Sequence, residues 1–232
     1  MNWIERLHLL SPLDYAALAL LVALWLGIGW RIENPAKSRP SVSTIMAGYR
    51  REWMVQMVTR QPRIFDAQTI TTLRQGTSFL ASTSVIAIGG TLALIGNAEQ
   101  VAVVAADLTD TLSPTFVWEV KLIMVVFLLT NAFLKFVWSN RLFGYCSVLM
   151  AAVPNDPDDA NAMPMAMKAA QLNVSAARSF NRGLRAVYFA LATVAWLLGP
   201  VPLMGAALLT CVVIWRREFA SLSRMALLDQ TG

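Results

Sequence analysis

The fold is decided by one long stretch, VWEVKLIMVVFLLTNAFLKFVWSNRLFGYCSVLMAAVP, which occupies residues 117–154. Its first half is almost wholly apolar and is predicted to cross a bilayer, because a hydrocarbon core of about 30 Å requires about 20 helical residues. Its second half carries polar and aromatic side chains, but no proline before Pro154. The helix is therefore predicted to continue past the lipid on the inner side.

A polar stripe runs along the inner half of this helix. Asn131, Lys135, Trp138 and Tyr145 fall within about 80° of arc when successive residues are 100° apart, and Arg141 lies close to them in the sequence. An unpaired lysine at bilayer depth costs about 2.5–3.5 kcal/mol on insertion scales. The stripe is therefore predicted to have a partner.

Composition places the whole chain in the same class. Of its 232 residues, 56% are hydrophobic and only 14% are charged, whereas a soluble domain usually carries about 25% charged residues. Low charge and long apolar runs predict an all-α, polytopic helical membrane protein that forms a single integral membrane domain, residues 1–232. We expect about five membrane-crossing helices, at residues 13–30, 78–96, 118–138, 184–199 and 202–216.

The distribution of charge predicts the topology. With five spans, all but two of the 19 basic residues lie on the same side of the membrane. The positive-inside rule makes that side cytoplasmic, with an outside N-terminus and a cytoplasmic C-terminus. The connecting segments are then the cytoplasmic loops 31–77 and 139–183 and the outside loop 97–117.

A few charged residues are predicted to lie on the outer side. Asp14 is the one charge in the first span, and Arg6 and Lys121 are the two basic residues that this topology leaves outside. Asp107 and Asp110 lie in the outside loop, where two carboxylates are expected to be solvated rather than to share a divalent cation.

The last apolar segment is interrupted by GPVP at residues 199–202 and has two interpretations. In one it is a single long helix kinked at proline, which reduces the count to four spans. In the other it is a hairpin of two short spans that turns at GPVP. Arg182 and Arg185 precede the segment, and Arg216 and Arg217 follow it. The hairpin keeps both groups in the cytoplasm and is therefore favoured.

An amphipathic helix is predicted in the first cytoplasmic loop. Ser41 is a favourable N-cap, and Arg51 and Glu52 face away from the apolar stripe. The helix either packs against the protein's own bundle, which we favour, or lies on the membrane surface. Asp66 is predicted to be the N-cap of the next helix. The apolar stripe consists of Val42, Ile45, Met46, Tyr49, Trp53 and Met57.

Small residues recur four apart in the second span. Ser78 and Ser82 form one such pair, and Gly89 and Ala93 form another. Without a hydrophobic driving force between helices in lipid, close approach of backbones is what holds membrane helices together. The pattern therefore predicts close packing of this span against another helix.

Sequence motifs favour a non-catalytic protein without excluding catalysis. The chain contains no HExxH, no GxSxG and no P-loop, and no span carries a pair of acidic residues. One histidine, His8, and two distant cysteines, Cys146 and Cys211, predict no metal site and no cofactor.

Six segments together resemble a known family. They are LDYAALALLVALW, RREWMVQMVTRQPRIFDAQ, FLASTSVIAIGG, KFVWSNRLFGYCSVLMAAVP, FNRGLRAVYFALATVAWLLGP and RREFAS, and they are distributed over nearly the whole chain, from residue 13 to residue 221. The chain resembles a bacterial family of multispanning membrane proteins, with relatives in plants, that is known only as a domain of unknown function. The resemblance implies the bacterial cytoplasmic (inner) membrane and brings no established activity, so no catalytic residue is carried over.

Two matched sets of side chains predict a binding site at the inner interface. An amide, a cation and an aromatic residue recur at the spacing i, i+4, i+7 on two helices that run in opposite directions. Their convergence would form a pocket for a phosphate, a lipid headgroup or a partner's carboxylate. Alternatively, the cations reach the interface separately and the aromatics form an interfacial belt. The predicted set is Asn131, Lys135, Trp138, Arg141, Tyr145, Asn181, Arg182, Arg185 and Tyr188.

Three functions are compatible with these features. We expect a scaffold, assembly or accessory component of a larger membrane complex, in contact with membrane lipids and other membrane subunits and not with nucleic acid. The second interpretation is a small transporter or channel that uses the basic stripe and the broken last helix. The third is a lipid-handling enzyme.

The matched spacing predicts that Lys135 and Arg185 hold one shared anionic ligand. Lys135→Gln or Arg185→Gln alone should then release the bound phosphate and lower the melting temperature, and the double variant should lose little more. Thermal melting and phosphate analysis of the purified protein measure both effects, with Lys168→Gln as a control. Small, additive losses of stability with unchanged bound phosphate would show that the two cations act separately.

Overall fold

Helices account for all regular secondary structure in the described part of a computed structural model, residues 8–100, 102–103 and 114–229. This confirms the all-α class. Asp107 and Asp110 lie outside the described residues. The seven helices of the described part are α1 Pro12–Glu33, α2 Val42–Thr59, α3 Ile64–Gly96, α4 Thr115–Ala152, α5 Ala162–Val194, α6 Pro200–Phe219 and α7 Leu222–Leu228, with a 3-10 turn at Ala195–Leu198.

Three of these helices, α1, α3 and α4, are long and apolar enough to cross a membrane, which indicates a multi-pass membrane protein. The longest is α4, with 38 residues. At 1.5 Å per residue it extends about 57 Å, well beyond the hydrocarbon core of about 30 Å. The polar second half of residues 117–154 is thus helical as far as Ala152, as its sequence predicts.

The interruption at GPVP is a sharp break between two helices. After the 3-10 turn, Gly199 has a φ of 124°, a conformation that glycine adopts readily and other residues do not. Pro200 then begins α6, where its fixed φ suits the first helical position and its missing N–H leaves no donor unsatisfied.

The helices on either side of Gly199 are connected at their far ends, because both contact Ser43. Asn181 of α5 donates to Ser43 Oγ at 3.3 Å. Ser43 in turn donates to the Glu218 carboxylate of α6, from its backbone N at 3.0 Å and from its Oγ at 2.8 Å. Asn181 and Glu218 lie about equally far from Gly199 along the chain, so α5 and α6 form an antiparallel hairpin.

The chain divides into two compact units. Unit 1 consists of Met1–Arg31, Ser84–Ala132 and Leu184–Arg216. Unit 2 consists of Ile32–Thr83, Phe133–Gly183 and Arg217–Gly232. Each is described by itself below.

In unit 2, α2 packs on its own protein, but its buried residues are Met54, Met57 and Val58, of which only Met57 belongs to the predicted apolar stripe, and Tyr49 of that stripe is exposed. Ser41 is its N-cap, as predicted, with its side chain accepting from Thr44 N. Arg51 and Glu52 are exposed. The buried residues of α2 join a core shared with α3, α4 and α5, which includes Met54, Met57, Val58, Ile70, Phe143, Cys146, Met150, Ala162, Ala166, Ala169, Ala170 and Ala176.

The α4 and α5 segments of unit 2 run antiparallel in close contact. Ser139 Oγ donates to the carbonyl of Ala176 at 2.7 Å, and Ser179 Oγ donates to the carbonyl of Lys135 at 2.9 Å. A hydroxyl reaches a carbonyl of the facing helix only where the two backbones lie near each other. At Gly183 the facing helix fills the space of a side chain, because a Cβ there would lie 2.7 Å from Cε1 of the buried Phe136 ring.

Gly183→Ala should therefore destabilise the protein by about 1–3 kcal/mol, the usual cost of overpacking. Gly76→Ala is the matched control, since a Cβ at Gly76 meets no atom within 4 Å and alanine is the better helix former. Thermal unfolding of both variants measures the difference. A Gly183→Ala protein as stable as the Gly76→Ala protein would contradict the close contact.

Candidate functional site

The predicted inner residues of α4 in unit 2 lie mainly on an accessible face. Trp138 and Tyr145 are exposed by 50% and 43%, and Lys135 is half-buried. Arg141 Nε donates to the Tyr145 hydroxyl at 2.5 Å, and its guanidinium carbon lies 5.7 Å from the Tyr145 ring centroid. Two of the predicted residues are therefore in direct contact with each other.

On α5 in unit 2, Arg182 binds a carboxylate from its own chain. Arg182 Nε donates to Glu33 Oε1 at 2.8 Å, and Nη2 contacts Oε2, so the pair is bidentate. The hydrogen bonds to Glu33 raise the pKa of the Arg182 guanidinium. Asn181 donates to Ser43, as described above. These two predicted residues thus contact partners that sequence spacing alone does not reveal.

The other three predicted residues, Asn131, Arg185 and Tyr188, belong to unit 1. Arg185 is only 7% exposed. A Cβ placed on Gly29 would lie 3.6 Å from Arg185 Nε, so the guanidinium packs over α1 where that helix has no side chain. Asn131 and Tyr188 are half-buried.

Unit 2 also contains a buried carboxylate that was predicted to have a different role. Asp66 was expected to be an N-cap, but α3 begins two residues earlier, at Ile64, and Asp66 lies in its first turn. Its Oδ1 accepts from Trp53 Nε1 at 2.6 Å and pairs with Arg60. The carboxylate therefore joins α2 to α3 rather than capping the helix.

Arg63 makes a second such connection in unit 2. Its Nη1 and Nη2 donate to the carbonyls of Val153 and Pro154, both at 2.7 Å, and Nη2 also donates to the carbonyl of Val58 at 3.3 Å. Carbonyls at and just beyond the end of a helix lack an intrahelical partner, so a guanidinium suits them well. The signal in the sequence was the pair of arginines in RQPRIFD, between two predicted helices.

A polar group is also inserted into the apolar core of unit 2. Arg50 Nη1 donates to Asn173 Oδ1 at 2.5 Å, and Asn173 Nδ2 lies 3.7 Å from Cys146 Sγ. Burial lowers the pKa of Arg50. Cys146 is wholly buried and also contacts the carbonyl of Ala169. These contacts hold α2, α4 and α5 together around the buried thiol.

The small residues of α3 lie on an uncovered face. Ser78, Ser82, Gly89 and Ala93, which were predicted to pack against another helix, are all exposed. A Cβ on Gly89 would meet no atom within 4 Å. Of the 18-residue apolar part of α3 that could cross a membrane, only 6% is buried. Within the described residues, the close helix contact predicted for this span is therefore not made.

Unit 1 contains a pocket of about 380 Å³ that sequence analysis did not predict. Lys121 Nζ lies 4.5 Å from the centroid of the Trp118 ring, and both residues are buried, being 6% and 2% exposed. The available signal was that Asp14 and Lys121 are charged residues near the starts of two apolar helices. The pocket is lined by Leu9, Ser11, Asp14, Val117, Trp118, Lys121, Leu197, Leu198, Gly199 and Pro200.

The carboxylate of Asp14 is held in place at one side of this pocket. Its Oδ1 accepts from Trp196 Nε1 at 2.7 Å, and its Oδ2 accepts from the backbone N and the Oγ of Ser11 at 3.0 and 2.7 Å. Asp14 thereby connects the start of α1 to the turn that precedes Gly199. The arrangement can bind and orient a ligand by charge and hydrogen bonding.

Comparison with known proteins identifies the family. The family described as "Protein of unknown function, DUF599" matches residues 16–223, and the chain belongs to it. No curated protein and no solved structure matches the chain. The resemblance stated from the six sequence segments is thereby confirmed.

Proposed function

We propose that this member of the DUF599 family is a non-catalytic integral membrane protein, a scaffold, assembly or accessory component of a larger membrane complex. The observation that carries the proposal is the uncovered small-residue face of α3. The occupant we propose for that face is a membrane-spanning helix of another subunit.

The shape of α3 supports this proposal. Ser78, Ser82, Gly89 and Ala93 lie within about 60° of arc and form a shallow groove along the helix. Phe79 and Ile86, exposed by 69% and 75%, stand beside that groove as a ridge. A groove of small residues lets another backbone approach closely, and the gain in packing is what drives helix association in lipid.

Contact with lipid alone explains this face less well. Acyl chains pack against large apolar side chains as well as against small ones, and they accept no hydrogen bond from the hydroxyls of Ser78 and Ser82. Hydroxyls and glycines are instead the residue types enriched where membrane helices meet. The exposed aliphatic and aromatic residues elsewhere on the protein suit lipid contact.

The proposal includes the five-span topology, with an outside N-terminus and a cytoplasmic C-terminus in the bacterial inner membrane. The antiparallel course of α5 and α6 supports it, because residues 184–199 and 202–216 are then two short spans joined by the turn at Gly199. Arginines lie near the far ends of both, at Arg185 and Arg216. The positive-inside rule favours keeping these ends in the cytoplasm.

A small transporter is a second candidate, and one observation favours it. Gly199 and Pro200, at the break between α5 and α6, line the pocket that contains Lys121. Discontinuous helices of this kind form the binding sites of many transporters. Solute flux in liposomes reconstituted with the purified chain alone distinguishes a transporter from an accessory subunit.

Gly89 and Gly90 offer a matched test of the α3 interface. Both are exposed, and a Cβ on either would meet no atom within 4 Å, but only Gly89 lies in the groove. Gly89→Leu should fill the groove and weaken the association with the partner about tenfold or more, whereas Gly90→Leu should retain it. Native mass spectrometry after extraction in a gentle detergent reports the assembly.

The mass of that assembly also identifies the partner, since a second copy adds 25.5 kDa and a different subunit adds its own mass. Two results would contradict the proposal. One is a wild-type protein that appears only as a single chain, with lipids still bound. The other is equal behaviour of the Gly89→Leu and Gly90→Leu variants.

The topology predicts which positions an impermeant thiol reagent reaches from outside intact cells. In a background of Cys146→Ala and Cys211→Ala, the reagent should label Leu198→Cys, which is 55% exposed at the turn. It should label Ser223→Cys only after the membrane is permeabilised. Labelling of Ser223→Cys in intact cells would contradict the five-span topology and its cytoplasmic C-terminus.

A further inference from the structure

We propose that the pocket of unit 1 binds a singly charged phosphate group, held by the Lys121 ammonium and the Trp118 indole N–H. This site is separate from the α3 face and from the predicted inner residues.

One buried donor of this pocket lacks an acceptor. Trp118 Nε1 is buried, and no hydrogen-bond partner for it lies in the part of the chain that the structure describes. Lys121 belongs to neither of the ion pairs Arg60–Asp66 and Arg182–Glu33. Its ammonium lies over the Trp118 ring instead. Buried donors without acceptors are unfavourable, and a ligand with several acceptor oxygens removes that cost.

Asp14 does not fill the role of that acceptor. Its two oxygens already accept three hydrogen bonds, from Trp196 Nε1 and from the N and Oγ of Ser11. Its negative charge nevertheless offsets much of the positive charge of Lys121. The pocket therefore favours an oxyanion with one charge over one with two.

The rest of the pocket suits a phosphate that carries an organic group. The N-terminus of α6 begins at Pro200, at the edge of the pocket, and the helix dipole adds positive potential there. The volume of about 380 Å³ falls in the range of small-molecule sites. Apolar walls accommodate the non-phosphate part of the ligand and are formed by Leu9, Val117, Leu197, Leu198 and Pro200.

A phosphate diester satisfies each of these requirements, whether in a phospholipid headgroup or in a free molecule. Two probes separate these sources: dihexanoyl phosphatidylglycerol, a short-chain lipid, and dimethyl phosphate, a singly charged diester without glycerol or acyl chains. Each is titrated into the delipidated full-length protein in a neutral detergent, and the melting temperature is followed.

We expect the short-chain lipid to raise the melting temperature of the wild-type protein. Lys121→Met should abolish the rise, and Trp118→Phe, which keeps the ring but removes the donor, should weaken binding about tenfold. Lys168→Met, a change at an exposed lysine of α5, should bind as the wild type does. Without ligand, Lys121→Met should melt lower than the wild type, because it removes the positive charge that offsets the buried Asp14 carboxylate, and its response to each probe is therefore read against its own ligand-free melting temperature.

Each outcome either supports the proposed phosphate site or overturns it. A Lys121-dependent rise with both probes supports the site and shows that the phosphate group suffices. A rise with the short-chain lipid alone supports it and assigns a lipid headgroup. If neither probe stabilises the wild type, or if Lys121→Met responds as the wild type does, the proposal is overturned. Should Lys121→Met fail to fold, an unchanged affinity of Trp118→Phe overturns it equally.

Discussion

The close contact between α4 and α5 is the interaction on which unit 2 depends. Because Gly183 has no side chain, the Phe136 ring occupies the space beside it. The approach also lets Ser139 and Ser179 donate to carbonyls of the facing helix. The buried residues of α5 in the shared core are alanines, so the α5 face stays flat enough for α2 and α4 to pack against it. A larger residue at Gly183 would separate the two helices and disturb the contacts built on them.

The basic residues of unit 2 have a structural role besides the one that charge counting predicts for them. Arg60 pairs with the buried Asp66, Arg63 holds the carbonyls that follow α4, and Arg50 binds Asn173 inside the core. Charge counting assigns such residues to the cytoplasmic side, but it does not distinguish a solvated arginine from one that joins two helices. The excess of basic residues in these segments therefore partly reflects internal packing.

Local features of the sequence predicted local features of the structure. Ser41 caps α2 because an N-cap needs only the three residues that follow it, and the chain breaks at Gly199 because Gly-Pro specifies a turn by itself. Features that depend on residues far apart in the chain were missed, as the contacts of Asp14 with Trp196 and of Glu33 with Arg182 illustrate. Spacing on one helix indicates which side chains share a face. It does not indicate which distant residue meets them.

The small residues of α3 and α5 show the same limit of prediction from sequence, and here the limit affects the proposed function. On α5, Ala166, Ala169 and Gly183 are buried against the rest of unit 2. On α3, Ser82 and Gly89 belong to an equally small face, yet they are exposed. Sequence identifies both surfaces as sites of close helix packing, since the residue types are the same. Only the fold separates the surface already used within the chain from the one that stays uncovered, and the second is therefore the surface that we propose for an assembly contact.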